Sequence, residues 1–303
     1  MTLYSQQSRN VWKTWALMSG FFVLVMALGF VFSRIYGNAN ILYIAVFVSV
    51  AMNIASYWFS DKIVLRMAGA TAVTREAYPE LWNVTENLSI TAGLPMPKVY
   101  VIADPAPNAF ATGRDKDHSA VAVTTGLLAI LDRNELEGVI AHELSHIDNR
   151  DILLQTVVVI LVGFVTLLSD MFLRMGFIGG NRDNDRGGGQ AQVIIMIVGI
   201  VLAILSPIAA VLIQLAISRK REFLADASAA LMTRYPEGLA SALGKISAHG
   251  GKLAKANHAT AHLFISDPFA DKTHKRGLFT RLFMTHPPVE ERVSALLSPG
   301  KTI

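Results

Sequence analysis

The sequence predicts a mainly α polytopic membrane protein with four transmembrane helices and an α+β cytoplasmic domain built around a small β-hairpin or sheet. Composition, charge-free runs and turn signals predict it. Of 303 residues, 52% are hydrophobic and only 17% charged, with mean hydropathy +0.41. Soluble domains carry roughly 25% charged residues, so this chain has more apolar surface than a soluble fold of its size hides. The same numbers exclude disorder. Four stretches lack charge for long enough to cross ~30 Å of hydrocarbon, which takes about 20 helical residues. They are Thr14–Ser33, Ile35–Ser60, Ile152–Ser169 and Gly187–Ser218, with the polar turn Gly37–Asn40 between the first two. The third is just long enough, and a buried core helix is its competing reading.

Orientation follows from the basic residues beside the spans. With the N-terminus inside, the inner flanks hold nine Lys and Arg, among them Arg9, Lys13, Arg150 and Arg219 to Arg221, against four outside (Arg34, Arg174, Arg182, Arg186). Both termini are therefore expected on the cytoplasmic side. The chain divides into an N-terminal transmembrane hairpin (1–61), a first polar segment (62–151), a second transmembrane hairpin (152–217) and a second polar segment (218–303). Neither polar segment holds a core and an active site alone, so the two are expected to fold together. The excess of 27 Lys and Arg over 23 Asp and Glu, a net +4, marks orientation and gives no sign of a nucleic-acid partner. The lipid bilayer is the expected partner surface, and oligomeric state is left open.

Within the first polar segment an amphipathic pattern predicts a helix over 79–92 and, after the Pro95-Met96-Pro97 turn, a strand over 98–102. Asn108 to Gly113, a polar turn through Arg114 to His118, and the alternating Ala120 to Thr124 predict a hairpin. Asp132 followed three residues later by Glu135 is a capping-box arrangement and starts the next helix.

That helix carries His142-Glu143-Leu144-Ser145-His146. Histidines at i and i+4 lie on one helix face, so both imidazoles can reach one metal, with the intervening glutamate placed to take the proton of an attacking water. The chain has no cysteine, which removes thiolate ligands and leaves His, Asp and Glu. Catalytic zinc takes three protein ligands and keeps one position open. A metzincin continuation would need Gly at 149 and His at 152, where Asn149 and Ile152 stand. Asp148 and Asp151 are poorly directed as ligands. Glu222, directly after the fourth span, returns to the same side and is the best third ligand. Asp226, one turn on, is suited to accept the other ring N–H of a ligating histidine. The metal then sits about 10–15 Å from the hydrocarbon edge.

These residues, with Arg221-Glu222-Phe223-Leu224-Ala225-Asp226, Asn108-Ala109-Phe110-Ala111-Thr112-Gly113 and Phe283-Met284-Thr285-His286-Pro287-Pro288, resemble the HtpX-type membrane zinc metalloproteases, relatives of the CaaX prenyl endopeptidases. The resemblance spans most of the chain. It implies a zincin-like catalytic domain in the bacterial inner membrane, active in heat-shock quality control on misfolded membrane proteins or other polypeptides. It implies one Zn2+ on His142, His146 and Glu222, with Glu143 as catalytic base and Asp226 supporting the ligands. It also implies an active-site edge strand at Asn108, Ala109 and Phe110 for an extended substrate, and a transition-state role for His286. His258 and His262 share i,i+4 spacing without an acid between them, which fits a polar cover better than a second metal site. A metal transporter would place ionisable ligands inside the spans, and an inert chaperone-like protein would lack Glu143. A protease accounts for both.

Overall fold

The computed structural model describes residues 3–35, 37–161, 163–164, 219–249, 253, 263–265 and 287–298. The fourth expected span, the outer loop, His258, His262 and His286 lie outside these residues.

Helices α1 (Leu3–Ile35) and α2 (Asn40–Trp58) pack as a hairpin around the Gly37 turn. Each contains a stretch long and apolar enough to cross a membrane, Asn10–Arg34 and Asn40–Trp58, with hydropathies of 2.2 and 1.7. Their outward side chains are apolar and bare, with Phe47 73% exposed, as a lipid-facing surface requires. The described part of the third expected span behaves differently. Its helix Asp151–Leu161 is buried throughout. Leu153, Val157 and Leu161 pack on Met18 and Phe21 of α1, while Val159 joins the cluster beneath the sheet.

Helix α3 (Ser60–Ala68) ends at the left-handed Gly69 and leads into a four-stranded sheet. Its strands are β1 (Ala70–Ala72), β2 (Lys98–Ile102), β3 (Ala109–Gly113) and β4 (Ser119–Thr124), in the order β1-β2-β4-β3. The hairpin is present as the antiparallel β3–β4 pair, whereas β2 runs parallel to β4 and β1 antiparallel to β2. Period-2 alternation sorts the side chains. Val99, Val101, Ala109, Ala111, Val121 and Val123 face one core, with Leu81, Val84 and Leu88 of α4 (Pro79–Ala92). Ile102, Phe110, Ala120 and Ala122 face the other, with Val64 and Leu65 of α3 and Phe264.

A short helix α5 (Thr125–Ile130) leads to the capping box, which is present in full: Asp132 accepts from the Glu135 N–H and Glu135 accepts from the Asp132 N–H. It starts α6 (Arg133–Asp148), whose middle is buried on every face. Asp151–Leu161 follows as α7. Two further helices, α8 (Arg219–Thr233) and α9 (Pro236–His249), close over α6, and α10 (Val289–Leu297) packs beside them. The first core thus joins residues 81–152 to residues 229–296. α6 and α9 approach so closely that a Cβ at Gly138 would stand 2.7 Å from the Leu239 backbone nitrogen. Glu135 fixes the same contact, accepting from Ser241 Oγ at 2.6 Å and Lys245 Nζ at 2.7 Å.

Candidate metal centre

α6 presents His142 and His146 on one face, and α8 crosses it so that Glu222 meets both rings. The ligand atoms of the three residues lie within 4.8 Å of one another, and all three are buried. The two Nε2 atoms are 3.2 Å apart, with the rings perpendicular at 89°. Glu222 Oε1 is 3.6 Å from His146 Nε2, and Oε2 is 3.9 Å from His142 Nε2.

The ring nitrogens facing away are both held by carboxylates. His142 Nδ1 is 2.9 Å from Asp226 Oδ1, and His146 Nδ1 is 3.1 Å from Asp151 Oδ2. A proton on each Nδ1 leaves both Nε2 lone pairs aimed at one point, an arrangement that calls for a cation between them. Two nitrogens bound tetrahedrally to zinc at about 2.0–2.1 Å lie about 3.3 Å apart, close to the spacing seen. Charge points the same way. Glu143, Glu222, Asp226 and Asp151 outnumber the two buried guanidinium groups, Arg221 and Arg292, an acidic surplus that favours a bound cation. The residues fit zinc.

Sequence reasoning missed three of these partners. Asp151 comes five residues after His146, but α6 ends at Asn149 and Arg150 takes a left-handed φ of 56°. The chain folds back there and brings the Asp151 carboxylate to the ring. Arg292 is 1% exposed despite sitting in an acidic helix start. Its Nε and Nη2 grip Asp226 at 2.8 and 2.6 Å, and Nη2 approaches the His142 ring at 3.4 Å. Asn10 of α1 reaches Asp151 at 2.7 Å. Asp148 points away and pairs with Lys116.

Glu143 lies beside the cluster, 2% exposed, and accepts a hydrogen bond from the Ala111 main-chain N–H on β3. The expected substrate strand is buried as well: Asn108, Ala109 and Phe110 are 3%, 1% and 0% exposed. The Asn108 carbonyl accepts from the Thr124 N–H, and on the outer edge the Ala109 carbonyl accepts from the Ile265 N–H at 2.9 Å. Arg292 Nη1 donates to the Ile265 carbonyl at 3.3 Å. The main chain at Ile265 thus already occupies the edge at Ala109.

Burial sets the protonation of the metal-free site. It pushes the Glu143 carboxyl up to about 7, with Glu222 adding to the shift and His146 opposing it. It lowers His142 to about 4, against the hydrogen bond that the ring donates to Asp226. At His146 burial also acts downward, but Asp151, Glu222 and Glu143 overcome it and raise the imidazole to about 9. At Asp226 burial acts upward and Arg292 overrides it, leaving the carboxyl at about 2. A metal must therefore displace a proton from His146. Zinc affinity is expected to rise about tenfold per pH unit from pH 7 to about 9 and then to flatten, as read by competition with a chelator. The folded pKa lies above the unfolded value of about 6.5, so the charged imidazole stabilises metal-free protein fully below that value. Thermal unfolding of metal-free protein should show this contribution disappearing as pH rises towards 9, opposite in direction to the gain in zinc affinity.

Residues 76–299 match the family described as Peptidase family M48. A protease HtpX homolog of Caldanaerobacter subterraneus subsp. tengcongensis is 46% identical over 301 residues, covering 98% of both chains. One from Tropheryma whipplei (strain Twist) is 46% identical over 298 residues, 98% of this chain and 99% of that one. Among solved structures, S. mikatae Ste24p aligns with a TM-score of 0.50 at 19% identity, covering 97% of this chain and 67% of the other, a likeness of fold. A buried pair of histidines joined by a glutamate and two candidate membrane helices now stand beside these matches. The chain belongs to peptidase family M48 and is a membrane metalloprotease of the HtpX type.

Proposed function

We propose that the protein is a zinc-dependent endopeptidase of the bacterial inner membrane that hydrolyses misfolded or damaged membrane proteins. His142, His146 and Glu222 hold one zinc ion per chain and Glu143 is the base. The observation that carries this is the convergence of two Nε2 atoms and one carboxylate at a single buried point, with both Nδ1 atoms already bound to acids. Residues 62–151 and 218–303 form one catalytic domain on the cytoplasmic side, with the second transmembrane hairpin inserted between the two segments. Four spans put both termini on that side.

Lewis-acid polarisation of a water and of the scissile carbonyl is the chemistry a zinc ion supplies in such a cluster. The chain's own residues do the rest. Glu143 takes a proton from the attacking water and passes it to the leaving amine. A carboxyl that burial pushes towards 7 suits both halves of that transfer, since a base works best with a pKa near the operating pH. The Ala111 N–H keeps the carboxylate aimed at the cluster. Asp226 and Asp151 hold the histidines in the tautomer that turns Nε2 inward. Arg292 holds Asp226 ionised and faces the main chain lying along β3. An extended substrate adds to β3 by main-chain hydrogen bonds, taking the place of Ile265 at Ala109. His286 stabilises the tetrahedral intermediate.

The preference for damaged substrates is tested in liposomes holding the protein and one membrane protein in folded and misfolded form. Cleavage of the misfolded form at least tenfold faster than the folded one supports the reading. Equal rates, or cleavage of soluble peptides only, would remove membrane quality control from it.

A further inference from the structure

The N-terminal helix enters the metal centre through one side chain. Asn10 begins the first apolar stretch of α1 yet is only 4% exposed. Its Nδ2 donates to Asp151 Oδ1 at 2.7 Å and to the Asn149 carbonyl at 3.3 Å. Its Oδ1 accepts from Arg221 Nη1 at 3.1 Å, and the same Nη1 lies 3.3 Å from Asp151 Oδ1. Three segments meet at this amide. Asn149 ends the helix that carries both histidines, Asp151 Oδ2 faces His146 Nδ1 at 3.1 Å, and Arg221 immediately precedes Glu222. Farther along, Met18 and Phe21 of α1 lie against Leu153, Val157 and Leu161, so the contact is part of a packed helix pair.

The chemistry of an amide is what the position needs. Asp151 offers two oxygens, and only one can face the ring. A group that donates to Oδ1 while accepting from Arg221 fixes the carboxylate's rotation and holds the guanidinium to one side of it. An aliphatic residue would leave Oδ1 to Arg221 alone, and a carboxylate would repel Asp151. With Oδ1 fixed, Oδ2 receives the Nδ1 proton and Nε2 turns to the cluster. The geometry points to Asn10 as a positioning residue that holds the metal ligand His146 through Asp151, which makes the N-terminal membrane helix a working part of the metal centre. The inference rests on the reading of His142, His146 and Glu222 as zinc ligands.

The test is a double-mutant cycle on zinc affinity, measured by competition with a chromogenic chelator on full-length protein in detergent. Native protein, Asn10→Ala, Asp151→Asn and the double variant are compared at one pH. Each single substitution is expected to weaken zinc binding about 10–100-fold, the range for groups that orient a metal ligand. The double variant is expected to bind within about twofold of Asp151→Asn, because Asn10 acts through Asp151 and the two effects share one route. A purely architectural Asn10 would instead give losses that multiply. If Asn10→Ala does not fold, Asn10→Ser, with a shorter donor and acceptor, takes its place in the cycle with the same non-additive outcome expected. Multiplying losses, or a folded Asn10 variant that binds zinc like native protein, overturns the inference while leaving the zinc site intact. Native protein that binds no zinc overturns the zinc reading itself.

Discussion

Glu143→Gln is expected to lower peptide cleavage by about 10²–10⁴-fold, the range for a positioned general acid–base group. It should leave bound zinc unchanged. The amide keeps the size of the carboxyl and can still accept from the Ala111 N–H, but it cannot take a proton from water. Glu143 is not one of the three converging ligands, so its loss removes no donor. Kinetics and metal content on the same preparation separate the two roles. A variant that cleaves at the native rate would show that the proton goes elsewhere. A variant that loses zinc together with activity would make Glu143 part of the metal-holding set.

Replacing Arg292 has the largest expected effect on stability. The guanidinium is 1% exposed, forks onto Asp226 through Nε and Nη2, and reaches the Ile265 carbonyl. Asp226 is 2% exposed and owes its low pKa to this partner. Arg292→Leu removes the counter-charge of a buried carboxylate and leaves it only the His142 Nδ1–H, a change that costs about 3–5 kcal/mol. Against total stabilities of about 5–15 kcal/mol, that is enough to decide whether the domain holds together. Arg292→Lys keeps the charge but not the fork and should fall between the two. Denaturant unfolding in detergent measures both. A loss below about 1 kcal/mol for Arg292→Leu would mean that the His142 contact alone supports the Asp226 carboxylate or that Asp226 is protonated in the native protein.

The parts of this site legible in the sequence are those that local rules write. Two histidines four apart with a capping box ten residues upstream specify a helix, its start and its metal-facing side, and the structure has that helix with its box complete. Alternation through Ala120 to Thr124 specifies a strand, and β4 is there with both faces buried. Glu222 was reachable because the chain must return to the same side of the membrane, and the structure brings it to the histidines. β1 was not legible, since Ala70-Thr71-Ala72 carries no pattern of its own and becomes a strand only by pairing with β2. The parallel pairing of β2 with β4 is likewise set by packing. Asp151, Arg292 and Asn10 were hidden for a further reason. Each reads as an ordinary polar residue near a helix end, and only the fold shows that all three are buried around the same two imidazoles.

A single catalytic zinc on His142, His146 and Glu222 is tested by adding zinc back to chelator-stripped protein while following peptide cleavage. The stripped protein is expected to show no cleavage, and activity then to rise in proportion to zinc and level at one equivalent per chain. Cleavage that persists without metal, or that fails to return at one equivalent, would contradict it.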